Sequence, residues 1–161
     1  MKKYYVQIWL ILIFLVKVNA QDVATKNLDF IIVIDDNIAI GSISSLNIEL
    51  DSEKSKKQVT VSYYPGNLSL SSLDYNTLLS DSIKTIFLNF NYYEYSNQNQ
   101  EIYNYEIELK KEWLKDYFNI LRIYNLKKKK YKGKYRPISV GKNYNYEITS
   151  PSHSFKLIEQ K

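Results

Sequence analysis

The sequence predicts a mainly β domain, an antiparallel two-layer sandwich of about eight strands with one or two short helices. Three observations predict it. Several runs alternate apolar and polar residues with period 2, the pattern of a strand that buries one face. The chain carries 16 Tyr, with many Ile, Val and Phe, side chains that suit a pleated, half-buried surface. Polar turn segments interrupt these runs at short intervals, and no strand–helix–strand rhythm of a parallel sheet appears.

The chain begins with a segment that reads as an address. Met1-Lys2-Lys3 is a short positive start, Val6–Val16 is an apolar run, and Val18-Asn19-Ala20 supplies modest residues before a cleavage point between Ala20 and Gln21. These are the marks of a cleavable signal peptide over residues 1–20. The run is too short for a permanent membrane helix, which takes roughly 20 residues. Residues 21–161 are then one domain, opening on a flexible start over 21–27 (QDVATKN).

Leu28–Asp35 (LDFIIVID) is apolar and β-branched, a buried strand ended by the turn signal Asp35-Asp36-Asn37, and Ile38-Ala39-Ile40-Gly41 is a short return strand. Leu46, Ile48 and Leu50 alternate onto one face. Asp51–Lys57 is a solvated loop, Val59–Tyr63 alternates again, and Tyr64-Pro65-Gly66-Asn67 turns the chain. In Leu68–Ser80, Leu68 and Leu70 fit a strand. Ser72 fits the cap of a short helix carrying Leu73, Leu78 and Leu79, the reading preferred here.

Ile83–Tyr95 is the clearest strand, with Ile86, Leu88, Phe90 and Tyr92 on one face. After the polar turn Ser96–Gln100, Ile102–Leu109 returns with Tyr103, Tyr105, Ile107 and Leu109 in phase, so the two runs form a hairpin. Trp113, Leu114, Tyr117 and Phe118 sit at helical spacing. Asn119–Asn125 is a strand, Leu126–Pro137 a basic connection, and Asn143–Thr149 with Ser154–Ile158 a final strand pair about Ser150-Pro151-Ser152. The whole suits an immunoglobulin-like or prealbumin-like sandwich.

Charge excludes less than it first suggests. The full chain has net charge +5, but Lys2, Lys3 and Lys17 belong to the signal, leaving 19 basic against 17 acidic residues. A near-neutral total removes the argument for a nucleic-acid partner, while local patches keep their meaning. There is no Cys, so the lipid attachment point of a bacterial lipoprotein is missing. The expected location is the periplasm or the exterior, without a membrane span or lipid anchor. With one His and no Cys, a structural zinc site or a three-His catalytic site cannot be built from this chain alone.

The candidate sites are few. His153 lies between Ser152 and Ser154; a Ser–His pair needs an orienting carboxylate and the right geometry to act as a nucleophile, and an exposed loop His is the plainer reading. Asp35-Asp36-Asn37 offers oxygen ligands for Ca²⁺, yet Ile38, Ala39 and Ile40 follow where further ligands belong, so a β-turn is preferred. Glu94, Glu106 and Glu108 are the carboxylates of the hairpin, and paired carboxylates hydrolyse glycosides only when they flank a groove. The most conspicuous feature is the run Lys127, Lys128, Lys129, Lys130, Lys132, Lys134 and Arg136, interleaved with Tyr131 and Tyr135. It fits an anionic partner, such as lipopolysaccharide, an acidic glycan, an acidic protein face or extracellular nucleic acid. It also fits a solvated hairpin tip that discourages edge-to-edge pairing. Tyr63, Tyr93, Tyr103, Tyr105, Tyr144 and Tyr146 occupy alternating strand positions, which favours sheet packing over a sugar-binding face.

The stretch Trp113-Leu114-x-x-Tyr117, then Ile120–Leu126, then the lysines up to Tyr135, resembles a segment of uncharacterised small exported proteins of Bacteroidota-type bacteria. The resemblance implies a bacterial, exported setting and carries no catalytic residue over. Leu114-x-x-Tyr117 ahead of a strand also resembles the tyrosine corner of sandwich domains. The expected function is therefore non-enzymatic binding of a protein or an anionic envelope component through the basic patch, with a glycan-binding module using exposed Tyr as the alternative and a hydrolase behind both. The sequence points to no catalytic residue, cofactor or metal.

Overall fold

The computed structural model describes residues 24–53, 55–96 and 99–155. The expected signal and its Ala20–Gln21 junction lie outside the described residues, as do residues 156–158 of the expected last strand.

The protein is mainly β and sandwich-like. Among the described residues the strands are β1 (Thr25–Leu28), β2 (Phe30–Ile34), β3 (Asn37–Ile38), β4 (Ile43–Ser52), β5 (Lys56–Thr60), β6 (Ser62–Tyr64), β7 (Asn67–Ser71), β8 (Ile83–Ser96), β9 (Asn99–Leu109), β10 (Asn119–Asn125), β11 (Tyr144–Thr149) and β12 (Ser154–Phe155), with one helix, α1 (Ser72–Leu78), and a 3-10 turn at Trp113–Lys115. They form three sheets of order β1-β7-β6, β12-β11-β10-β2-β3 and β5-β4-β8-β9. All pairings are antiparallel except β2 with β10, which run parallel. One apolar cluster joins all three sheets, with Leu68, Ile32 and Leu88 as fully enclosed members.

The strand count exceeds the expected eight or so in part because two predicted runs are each split, and in part because Asn67–Ser71 is a strand of its own. Leu28–Asp35 breaks at Asp29 and Val59–Tyr63 at Val61, and at each break the chain passes from one sheet to another. The inward alternation continues undisturbed across both breaks, with Leu28, Phe30, Val59 and Val61 all buried. Only the hydrogen-bonding partner changes: Asp29 C=O accepts Asn119 N–H at 2.8 Å. Strands that switch sheets at corners are a normal device of packed sheets, and a period-2 pattern carries no trace of it.

The hairpin is as predicted. β8 pairs with β9 from Ile86↔Leu109 to Ser96↔Asn99, and β8 pairs with β4 on its other side. Val59, Ile48, Leu88 and Ile107 are successive cross-strand neighbours and all are buried. Such facing pairs are the unit of sheet stability.

Four local expectations are corrected. Thr25–Asn27, placed in a flexible start, belong to β1 and pair with β7. The helix cap is Ser71, whose Oγ accepts Asp74 N–H at 3.0 Å, so Leu68 and Leu70 stay in a strand and the helix follows directly. Of the helical set Trp113, Leu114, Tyr117 and Phe118, the first two are buried and the last two exposed, because the chain makes a single 3-10 turn and then extends into β10. Tyr117 is 87% exposed, so it is no tyrosine corner.

Other tyrosines tie the sheets together. Tyr63 of β6 accepts Ile32 N–H at 2.9 Å. The Tyr144 hydroxyl accepts Glu106 N–H at 3.0 Å and donates to Glu106 C=O at 2.7 Å, closing part of the outer edge of β9. A buried Tyr keeps its ring in the core and its hydroxyl on a polar partner, and that dual character accounts for much of the Tyr surplus.

Candidate functional site

β10 and β11 are antiparallel neighbours, so the segment 126–143 must leave the sheet edge and return to it. This segment carries the basic run. Much of it is solvated, as one reading of the sequence expected, but it is not a free tip: its turns and one isolated bridge, Lys132 with Tyr135, fold back on the protein and are held at two acidic anchors.

Both anchors lie in the two-residue turn between β2 and β3, where Ile34 pairs with Asn37. Asp35 and Asp36 have φ of 51° and 69°, the left-handed pair that a tight hairpin of this type requires. Asp is among the few non-glycine residues that visit this region, and it persists where surroundings over-determine it. Asp35 Oδ1 accepts Asn125 N–H at 2.8 Å, and Asp35 N–H donates to Ile123 C=O at 2.9 Å. The Lys128 ammonium sits 2.9 Å from Asp35 Oδ2 and 2.6 Å from Glu94 Oε1. Burial works against the charge on Lys128, but hydrogen bonds to Glu94 and Asp35 outweigh it and hold the ammonium above its usual range. Asp36 takes Lys130 and the Tyr131 hydroxyl, the latter at 2.8 Å; Lys130 first and Tyr131 second hold its carboxyl below the ordinary range. Tyr131 is buried against Tyr124, ring centroids 5.2 Å apart.

The seven predicted cations therefore divide. Lys128 turns inward and Lys130 is neutralised at the rim. Lys127, Lys129, Lys132, Lys134 and Arg136 are exposed. Lys127 lies over the Tyr103 ring at 5.9 Å and Lys134 over the Tyr135 ring at 5.1 Å. Lys129, Lys132 and Arg136 have no carboxylate partner among the described residues. The face thus presents outward positive charge on a backbone that is already ordered.

Beside it, between the outer edge of β9 and the connection, is a hollow of 180 Å³ lined by Tyr103, Tyr105, Asn125, Lys127, Lys142 and Tyr144 among others. Burial, then the Glu101 carboxylate that accepts its hydroxyl, pushes the Tyr103 phenol up to about 12. Tyr105 is pushed up further, chiefly by burial.

The remaining candidates are accounted for by partners. Glu94, Glu106 and Glu108 are each held by a lysine, Lys128, Lys142 and Lys110 respectively. Among the described residues no three acidic or His side chains converge as metal ligands, and no helix is long and apolar enough to cross a membrane. The most exposed tyrosines, Tyr64, Tyr95 and Tyr117, stand on β6, on β8 and after the 3-10 turn, not in one row.

His153 does acquire an acid and a serine, though not in catalytic order. Asp116 Oδ2 accepts the Ser150 hydroxyl at 2.5 Å and lies 3.2 Å from His153 Nδ1. The carboxylate stands between serine and imidazole, where nucleophilic chemistry needs the imidazole in the middle. The group pins the β11–β12 turn. Ser150, then Ser152 and His153, hold the Asp116 carboxyl down at about 2, against 3.8 unperturbed. A carboxyl with a depressed folded-state pKa stabilises above its unfolded value, and that contribution disappears as pH falls from about 4 through about 2. Asp116→Asn should therefore flatten the fall in urea midpoint across that window. A variant as acid-sensitive as the parent would show that the cluster adds nothing.

With this geometry in view, the chain was compared with protein-family models, curated proteins and solved structures, and none of the three shows a match. The basic run was legible in the sequence; that Asp35 and Asp36 anchor it, with Glu94 sharing Lys128, was not. The one local signal was Asp-Asp in a two-residue turn without glycine, which asks for something to hold it.

Proposed function

We propose that the protein is an exported, non-enzymatic binding module that takes an anionic envelope partner on the 126–143 face. Export rests on the character of residues 1–20. The binding reading rests on a single observation: Lys128 and Lys130 fix the segment to Asp35, Glu94 and Asp36, while Lys129, Lys132 and Arg136 stay outside with no carboxylate partner among the described residues. A flexible lysine run kept only for solubility needs no buried anchor. An ordered one loses less entropy on binding.

The test is binding of the domain to an immobilised acidic polysaccharide, polygalacturonate, over a range of salt. Affinity should fall steeply with salt, as counterion release demands. The variant Lys129→Ser/Lys132→Ser/Arg136→Ser should bind about tenfold or more weakly and show a shallower salt slope. Affinity independent of salt, or unchanged in the triple variant, would sink the reading.

A further inference from the structure

We propose that two copies of this chain join edge to edge through β9, pairing antiparallel about Ile102 to form a two-fold dimer. The first observation is an open edge. Among the edge strands of the described residues, β3 and β12 have two residues, β6 three and β1 four. β5 has five, and its Lys56 and Lys57 are of the kind that discourages strand pairing. β9 has 11 residues, and its two halves differ. In the second half the Tyr144 hydroxyl bonds both Glu106 N–H and Glu106 C=O, and the Tyr146 hydroxyl donates to Glu108 C=O at 3.4 Å. The first half has no such cover. Tyr93 N–H donates to Ser42 C=O on the β4 side, so Ile102, which faces Tyr93, turns its own N–H and C=O away from β8. Gln100 and Asn104 are in phase with it. All three residues are exposed, and their outward backbone groups have no partner among the described residues. No Lys or Pro interrupts 99–105. An uncovered strand edge is a template for another strand.

The second observation says which strand. The open stretch 100–104 is centred on Ile102. Two antiparallel copies with Ile102 opposite Ile102 set Gln100 opposite Asn104 on either side, and every outward N–H and C=O of these residues is paired at once. The Ile102 side chain, 56% exposed, meets its own copy. On the other face of the strand, Glu101 comes to stand opposite Tyr103. Glu101 accepts the Tyr103 hydroxyl of its own chain and has no cation partner among the described residues. Lys127 lies over that Tyr103 ring at 5.9 Å and has no carboxylate partner among them. Pairing about Ile102 therefore brings the Glu101 of each copy to the Lys127 of the other, on both sides of the axis. Within one chain these two charges only offset each other; across the two-fold they match in place, and such self-complementarity selects a second copy of the chain. The open hollow of 580 Å³ lined by Glu94, Glu101, Ile102, Tyr103, Lys127 and Lys128 borders this edge and gives the incoming side chains room.

Pairing of this length makes a small interface, so the dimer should dissociate in the micromolar range. Sedimentation of residues 21–161 over a wide range of concentration tests it. The parent should pass from monomer to dimer and stop there, because an isologous contact closes at two. Ile102→Pro should dimerise about tenfold or more weakly, since it removes an outward N–H and no β8–β9 bond. Its thermal midpoint in dilute solution should stay close to the parent's, because an edge strand tolerates proline where the N–H faces solvent. Glu101→Lys and Lys127→Glu should each weaken the dimer to a similar extent. An equimolar mixture of these two variants should recover it, since each contact then joins a lysine to a carboxylate, a rescue that no repair within one chain can produce. A parent that stays monomeric, assembly beyond two copies, a dimer unaffected by Ile102→Pro, or a mixture no better than its components overturns the proposal. If Ile102→Pro fails to fold, the mixture decides alone. The Lys129→Ser/Lys132→Ser/Arg136→Ser variant should dimerise as the parent does, so failure of this contact and failure of the basic face are read separately.

Discussion

Replacing Asp35 with Ala is expected to lower folding stability by about 3 kcal/mol. Three losses combine. The Asn125 N–H, which donates to Asp35 Oδ1 at 2.8 Å, keeps no acceptor. Lys128 loses one of its two carboxylates, and because that lysine is about a third exposed while Asp35 is only 6% exposed, the loss falls short of a fully buried pair's. Finally, Ala must hold φ near 51°, a conformation that costs an ordinary residue about 1 kcal/mol or more. Asp35→Asn separates these terms. It tolerates the backbone and keeps an acceptor oxygen, so it should lose only about half as much. Urea midpoints at constant slope give both values. If Asp35→Ala lies within about 1 kcal/mol of the parent, the connection is not held in the way described. Weaker polygalacturonate binding by folded Asp35→Asn would link the anchor to the ordered basic face.

Leu88→Ala should cost as much or more, about 3–4 kcal/mol. Leu88 is fully enclosed and stands between Ile48 of β4 and Ile107 of β9, which are also fully enclosed. Strands on both sides are hydrogen-bonded to β8, so the backbone has little freedom to collapse into the space left by three heavy atoms. The transfer loss and the residual cavity therefore add. Val140, the most exposed large apolar side chain among the described residues, is the control, and Val140→Ala should fall within about 0.5 kcal/mol of the parent. A Leu88→Ala loss below about 1 kcal/mol would mean that the site relaxes and the cross-sheet row is not rigid.

The face assignments were legible because they are local. Ile86, Leu88 and Phe90 point inward and Ile107 and Leu109 meet them, as alternation along each run requires. The helix was harder. Leu70 ends a strand and Ser71 caps the helix with no residue between, and Leu68, Leu70 and Leu78 serve both periods in turn. The helical spacing of Trp113, Leu114, Tyr117 and Phe118 misled because four positions cannot distinguish a single 3-10 turn from a longer helix. The site was half legible: lysines announce themselves by composition, whereas an acidic partner looks like any other surface acid.

The sequence by itself determined a β-rich sandwich-like domain, the long β8–β9 hairpin, the inward face of most strands and a concentration of positive charge between the last two long strands. These follow from side-chain alternation, turn chemistry and local composition, each of which acts over a few neighbouring residues. Only the tertiary structure decided the passage of strands between three sheets and the parallel pairing of β2 with β10. It also decided which lysines turn inward and which carboxylates hold them. Those depend on contacts such as Asp35 with Asn125 and Asp36 with Tyr131, separated by 90 and 95 residues. Hydrogen-bond partners and desolvation at that range are set when the sheets pack, and no local pattern encodes them.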